Sequence, residues 1–90
     1  MLNYYVIYDK QLKLANPPFC ASDDKSAVRL CRNMLVSASD DVFARVAPCC
    51  DIRFIGSFAE DTVEFIPCVP ARVVCAVGDI PMPDDTGGSV

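Results

Sequence analysis

Hydrophobic and polar positions recur along the chain with two different periods, which predict one helix among several strands. Residues 4–8 form a short aromatic and β-branched run that suits a pleated surface, so we expect a first strand there. Residues 11–21 contain Asn16-Pro17-Pro18, and proline removes a backbone donor and favours extended geometry. This segment is therefore predicted to be a loop, with a short extended stretch over residues 11–15.

A helix is predicted to begin at Ser22-Asp23-Asp24, because these side chains can cap the free N–H groups of a first turn and favour its positive dipole end. Apolar residues then recur at helical spacing as one core-facing stripe, which consists of Ala27, Leu30, Cys31, Met34, Leu35 and Ala38. The helix should end around residues 37–39. Its opposite side carries Val36 and three basic residues, Lys25, Arg29 and Arg32, which we call the basic ridge.

The second half of the chain has the period of strands. Residues 40–46 are predicted to form one further capped turn before Pro48, anchored by Phe43 and Val46. Residues 51–58 alternate strictly, which predicts a strand with one side formed by Ile52, Phe54, Gly56 and Phe58. A turn over residues 59–61 should join this strand to residues 62–66, with Val63 and Phe65 pointing inward.

Pro67 and Pro70 are expected to interrupt the sheet before an edge strand over residues 71–77. The predicted fold class is thus α+β, with a three- or four-stranded, mainly antiparallel sheet packed against one main helix in the order β-α-β-β-β. Residues 1–80 would form a single domain. Residues 81–90 are rich in Pro, Asp, Gly and Ser and are predicted to be a flexible acidic tail.

Composition limits the choice of function. A chain of 90 residues with 52% hydrophobic and 22% charged residues is one small globular domain, which should keep some apolar surface for self-association or for a partner. The net charge of -4 is opposite to that of a typical nucleic-acid binder. The imbalance is local, however, because residues 1–58 hold seven basic and six acidic residues whereas residues 59–90 hold one and six.

Several kinds of chemistry are not supported by the sequence. The chain has no histidine, and its four glycines form no phosphate-binding motif, so we expect no enzyme and no cofactor. The pairs Asp23-Asp24 and Asp40-Asp41 suit helix capping better than acid–base or metal chemistry. No signal-peptide pattern and no apolar run of about 18 residues is present, so a secreted or membrane-embedded protein is not expected.

The six cysteines, at positions 20, 31, 49, 50, 68 and 75, contain no C-x-x-C pair. Adjacent thiols such as Cys49 and Cys50 rarely chelate one zinc ion together, because neighbouring side chains of an extended chain point to opposite sides. We therefore expect reduced, structural cysteines in a cytoplasm, with disulfides or a metal site as the alternatives.

Two groups of residues are candidates for contact with nucleic acid. Lys25, Arg29 and Arg32, with Lys10 and Lys13 in the preceding loop, can meet phosphates, although three basic residues on one helix face are also typical of an ordinary solvated surface. An open sheet face would offer aromatic rings for base stacking, but the same rings can form the core of a small domain. These aromatic residues are Tyr4, Tyr5, Tyr8, Phe54 and Phe58.

The order of features resembles the small non-structural protein of gokushoviruses, which are single-stranded DNA phages of the microvirus group. The resemblance covers about residues 4–80. It rests on Tyr8-Asp9, Pro18-Phe19 ahead of an acidic cap, Asp24 with Ala27-Val28-Arg29, the strand Asp51-Ile52-Arg53-Phe54-Ile55-Gly56-Ser57-Phe58, and Gly78-Asp79-Ile80.

The resemblance implies a non-catalytic protein of the infected bacterial cytoplasm that binds DNA during genome synthesis or packaging. Arg29 matches the helix arginine of that family and is the first candidate for DNA contact. Expected partners are single-stranded DNA, phage or host replication and packaging proteins, and further copies of the chain. The alternative is a protein–protein adaptor that docks a replication or procapsid component without touching DNA, which the acidic composition favours.

Overall fold

The computed structural model describes residues 1–37 and 48–80 and confirms an α+β fold with one main helix and a mainly antiparallel sheet. Ala38, the turn predicted at residues 40–46 and the tail predicted at residues 81–90 lie outside the described residues. In chain order the elements are β1 (Leu2–Asp9), β2 (Leu14–Ala15), β3 (Phe19–Ala21), α1 (Asp24–Ser37), β4 (Cys50–Ala59), β5 (Glu64–Ala76) and a 3-10 turn (Val77–Asp79).

Within the described residues, the sheet has five strands in the order β2-β1-β4-β5, and β3 also pairs with β1. β1 pairs with β4 along its whole length, from Leu2 opposite Phe58 to Asp9 opposite Cys50. The segment predicted as a loop, residues 11–21, instead folds back along the other edge of β1 as β2 and β3. It does so because the outer backbone groups of β1 need partners, and the Asn16 amide donates to the Ile7 carbonyl at 3.0 Å.

Helix α1 covers one face of the sheet, which we call the covered face. Side chains alternate along a strand, so Tyr5 and Ile7 point toward the helix while Tyr4 and Tyr8 lie on the other, open face. Ile52, Ala27 and Cys31 are completely buried between helix and sheet. The full core cluster comprises Tyr5, Ile7, Ala21, Ala27, Cys31, Leu35, Cys50, Ile52, Val77 and Ile80.

The helix is rotated relative to the predicted stripe. Ala27, Cys31 and Leu35 are buried as expected, but Leu30 and Met34 are 41% and 47% exposed, so their assignment to the core was wrong. Val28 packs against the core instead. At about 100° per residue, this moves the centre of contact by roughly 40° away from Leu30 and toward Val28.

A β-bulge breaks the strict alternation predicted for residues 51–58. Tyr5 pairs with Phe54 and Tyr4 pairs with Gly56, so Ile55 is the extra residue of β4. Phe54 precedes the bulge and shares the covered face with Ile52, whereas Phe58 lies beyond the bulge on the open face. The prediction that Ile52, Phe54, Gly56 and Phe58 share one side of the strand was therefore wrong beyond Phe54.

β5 is one continuous edge strand that contains both prolines, rather than two strands that the prolines separate. Residues 68–71 stand opposite the single residue Ile55, so the strand bulges outward where a regular ladder would need donors that proline lacks. The predicted edge position of residues 71–77 is confirmed up to Ala76, and Val77 begins the short 3-10 turn.

The turn between β4 and β5 spans residues 60–63, because Ala59 and Glu64 still pair with each other. Val63 therefore lies in the turn, with a positive φ of 57° and an exposed side chain, and not inside the sheet. Phe65 is half exposed on the open face, where its ring meets Tyr4 edge to face at 6.1 Å. The inward orientation predicted for these two residues was wrong.

Candidate nucleic-acid interface

The basic ridge is positioned by the capped start of α1. The Asp23 carboxylate accepts a hydrogen bond from the Ser26 amide at 2.8 Å, and the Asp23 carbonyl accepts one from the Ala27 amide. The Ser26 amide lowers the pKa of Asp23 below its ordinary value, with smaller contributions from Arg29 and Lys25. The predicted cap is thus present, and it fixes the orientation of the turn that carries Lys25.

The three ridge residues share one side of the helix but differ in exposure. Lys25 and Arg29 are exposed, and the nearest polar partner of the Arg29 guanidinium is the Ser26 hydroxyl at 3.4 Å. Arg32 is half-buried, and its Nε is buried without a hydrogen-bond partner in the described part of the chain. Within residues 1–37 and 48–80, none of the three lies within salt-bridge distance of a carboxylate.

Lys10 and Lys13 lie on the turn between β1 and β2, which the Asp9 carboxylate holds by accepting hydrogen bonds from the Gln11 and Leu12 amides. Both lysines are exposed. The turn that carries these lysines follows Asp9, the last residue of β1. Lys25 instead lines a groove together with Asn3, which lies near the first residue of β1. At about 3.4 Å per residue, the two ends of β1 are roughly 24 Å apart, so Lys10 and Lys25 are not brought together.

The groove beside Lys25 has a volume of about 470 Å³ and is built around an arginine that the sequence analysis missed. Arg72 of β5 donates to both carboxylate oxygens of Asp24, at 2.9 and 3.1 Å, and its guanidinium lies 5.0 Å from the Phe54 ring centre. The Tyr5 hydroxyl donates to the same carboxylate at 2.8 Å. No local sequence pattern predicts this contact, because Arg72 and Asp24 are 48 residues apart in the chain.

These contacts set the ionisation of the groove. The hydrogen bonds from Arg72, together with the one from Tyr5, hold the pKa of Asp24 below its ordinary value despite partial burial. Burial, followed by the hydrogen bond to Asp24, raises the pKa of Tyr5 to about 12. At neutral pH the groove therefore contains a neutral phenol, the ion pair of Asp24 with Arg72, the Asp23 carboxylate and Lys25, and Lys25 forms no salt bridge within the described residues.

The open face has a polar part and an apolar part. At the end near Asp9, Arg53 lies 4.2 Å from the centre of the Tyr8 ring and donates to both oxygens of the buried Asp51 carboxylate, at 2.7 and 3.2 Å. Asp51 raises the pKa of Arg53 further above its ordinary value. The positive charge of Arg53 is thus largely compensated by the Asp51 carboxylate.

At the other end of the open face lies an apolar cleft of about 290 Å³, which we call the aromatic groove. It is lined by Tyr4, Pro18, Ile55, Phe58 and Phe65. The rings considered for stacking are therefore divided: Tyr5 and Phe54 pack together on the covered face at 5.4 Å, while Tyr4, Tyr8 and Phe58 lie on the open face. Phe65 also lies on the open face, whereas the predicted hairpin pointed its side chain inward.

All six cysteines are free thiols in the structure. Burial raises the pKa of Cys31 to about 11, and it also raises the pKa values of Cys50 and Cys75. In the described ranges, no group of three or more Cys, Asp or Glu residues is arranged to hold a metal ion. Cys31 and Cys50 are buried and pack as small apolar groups, whereas Cys20 is exposed.

No helix within the described residues is both long and apolar enough to span a bilayer. Comparison with known proteins finds no match among curated proteins and none among solved structures. One family model does match, and it covers residues 2–80 of the chain under the description Phage ORF5 protein. Since this match spans the whole of the described sheet and helix, the chain belongs to the Phage ORF5 protein family.

Proposed function

We propose that this phage protein binds single-stranded DNA through the basic ridge during genome synthesis or packaging, without catalysing a reaction. The finer assignment that we propose is the small non-structural protein of a gokushovirus, acting in the cytoplasm of the infected bacterium. Membership in the Phage ORF5 protein family supports the phage setting. The DNA contact rests on the ridge alone.

The observation that carries this proposal is the contrast among the arginines. Arg53 and Arg72 each hold an aspartate in a two-point hydrogen-bonded pair. Arg29, by comparison, is exposed and has only the Ser26 hydroxyl as a partner within the described residues. A guanidinium in this state is available to a phosphate, whereas the paired ones would first have to release a carboxylate.

The ridge makes a modest interface. Lys25, Arg29 and Arg32 span two turns on one side of α1 and can meet neighbouring phosphates of a flexible single strand. For single strands, each neutralised phosphate contributes about -0.7 to the slope of log K against log salt, so three contacts correspond to roughly -2. The net charge of -4 fits weak binding that depends strongly on salt.

The test is binding of a fluorescent oligothymidylate, measured by anisotropy over a series of salt concentrations. We expect affinity to fall as salt rises, and Arg29→Ala to weaken binding at low salt and reduce the slope by about 0.7. Arg53→Gln is the matched control: it removes an arginine already paired with Asp51 and should leave the slope unchanged. Undetectable binding at the lowest salt would reject DNA binding, and equal slopes for Arg29→Ala and the parent chain would reject the basic ridge as its site.

A second candidate function is the adaptor, and the outer edge of the sheet favours it. β5 exposes Ile66, Val69 and Val73, and Val69 is 84% exposed on the outward bulge. An apolar row of this kind suits a protein partner better than a phosphate backbone. If DNA binding is absent, and Val69→Asp with Val73→Asp abolishes binding to a purified replication or procapsid component, the adaptor is the correct function.

A further inference from the structure

We propose that copies of this chain associate head to tail, with the β1–β2 turn of one copy docked in the aromatic groove of the next. The turn comprises residues 10–13, followed by Leu14 at the start of β2. Leu12 and Leu14 are 67% and 65% exposed, although leucine side chains are usually buried in a domain this apolar. The turn therefore presents two apolar side chains that the fold itself does not cover.

The turn is a formed surface rather than a loose loop. The Asp9 carboxylate accepts hydrogen bonds from the Gln11 and Leu12 amides at 2.9 and 3.0 Å, and the Lys10 amide donates to the Cys49 carbonyl at 2.8 Å. Gln11 also accepts a hydrogen bond from the Cys49 thiol. These contacts set the shape of the turn before a partner arrives, which reduces the conformational entropy lost on binding.

The aromatic groove offers a matching surface. Its lining is almost entirely apolar, and the Tyr4 and Phe65 rings meet edge to face at its wall. Gly56 shapes the same wall, because a Cβ there would lie 2.6 Å from the Phe65 ring. A cleft of about 290 Å³ built from rings and Ile55 suits a branched aliphatic side chain such as that of Leu12.

The β1–β2 turn and the surroundings of the aromatic groove carry opposite charges, which favours their association. The exposed turn carries Lys10 and Lys13, whereas the turn next to the groove carries Glu60 and Asp61, with Glu64 at the start of β5. Because Phe58 and Phe65 pair one position before that acidic turn, a chain entering the groove passes close to Glu60 and Asp61. This surface repels a phosphate backbone and attracts a basic, apolar segment, which the protein itself possesses.

The two surfaces lie at opposite ends of β1, so one copy cannot satisfy its own groove. A contact between two different surfaces of identical chains is heterologous and extends into a ring or a filament. Pairing of two β5 edges would give a closed dimer instead. It is disfavoured because Pro67 and Pro70 lack amide donors and residues 68–71 bulge outward.

The inference does not depend on DNA binding. The basic ridge lies on the outer side of α1, while the aromatic groove is on the face of the sheet that α1 does not cover. It assigns Lys10 and Lys13 to contact with a second copy rather than with DNA. Successive copies joined in this way would each present a ridge, which is a route to cooperative coating of a single strand.

The experiment is a charge exchange, followed by sedimentation velocity over a range of protein concentrations. One variant carries Lys10→Glu and Lys13→Glu, and the other carries Glu60→Lys and Asp61→Lys. All four positions are exposed, so both variants should fold, which circular dichroism checks. Each variant alone should associate at least about tenfold more weakly than the parent chain, because like charges then meet.

Mixing the two variants should restore association, since the acidic turn of the first then meets the lysines introduced in the second. Leu12→Ser should weaken association in the parent background, and Val69→Ser on the β5 edge should leave it unchanged. A parent chain that stays monomeric, a charge exchange without recovery on mixing, or loss of association through Val69→Ser alone would overturn the proposal. Arg29→Ala should not affect sedimentation, so failure of DNA binding remains a separate result.

Discussion

The covered and open faces of the sheet are built from the same strands, yet they have different uses. On the covered face, Tyr5, Ile7 and Ile52 are buried beneath α1. On the open face, Tyr4, Phe58 and Phe65 form a cleft that no described element fills. Strand alternation divides the aromatic residues between the two faces, and one helix is enough to cover only one of them. A small domain thereby has its core on one side and an exposed apolar cleft on the other.

The sharpest test of this comparison replaces one isoleucine on each side. Ile52 is completely buried against α1, so Ile52→Ala should lower the free energy of unfolding by about 2 to 5 kcal/mol. Ile55 lines the aromatic groove and is only half-buried, so Ile55→Ala should cost about 1 kcal/mol or less. Urea denaturation measures both, and equal losses would mean that the faces do not differ as described.

The alkaline limit of stability should be set by the covered face. The pKa of Tyr5 is raised from 10.0 to about 12, so the folded protein holds its phenol proton while the unfolded chain releases it. Stability from this group is complete below pH 10 and should be lost as the pH rises toward 12, by about 2 to 3 kcal/mol.

Tyr5→Phe supplies the control for that prediction, because it removes the titrating hydroxyl but keeps the ring. The difference in unfolding free energy between the parent chain and Tyr5→Phe should shrink between pH 10 and pH 12. Urea titrations across this range measure it. A constant difference would show that Tyr5 ionises as it does in the unfolded chain.

Gly56 directly follows Ile55, the bulge residue of β4. Its φ of +151° is rarely adopted by residues with a side chain, and an added Cβ would lie 2.5 Å from the Ile66 carbonyl oxygen. Gly56→Ala should therefore cost about 1 to 3 kcal/mol and displace the Phe65 ring from the aromatic groove. Urea denaturation gives the first effect and the aromatic NMR shifts of Tyr4 give the second. Ser57→Ala is the neighbouring control and should leave those shifts in place.

The smallest effect is expected at the rim of the covered face. The hydrogen bonds from Arg72 and Tyr5 lower the pKa of Asp24. Its contribution to folding stability is therefore complete above the ordinary carboxyl pKa and is lost as the pH falls through the lowered pKa. Both side chains of the ion pair are partly solvated, which limits the contribution to below about 1 kcal/mol. Thermal unfolding of Asp24→Asn should therefore show a weaker acid dependence than the parent chain. An identical dependence would assign the acid response to other carboxylates.

Local patterns predicted the elements whose causes are local. The capped start at Asp23, the helix period and the strand at residues 4–8 each follow from interactions within a few residues, and all three are present. The β4–β5 hairpin was also predicted, but its turn ends two residues later than expected, which moves Val63 out of the sheet. Period alone does not fix where a turn stops.

The sequence by itself determined the fold class, the position of the helix and the row of basic residues on it, because spacing along the chain sets which side chains share a helix side. Tertiary structure decided the rest. The bulge at Ile55, the rotation of α1 that exposes Met34, and the pair between Arg72 and Asp24 all depend on residues far apart in the chain. Packing between distant segments is chosen by the whole core at once, and no local period encodes it.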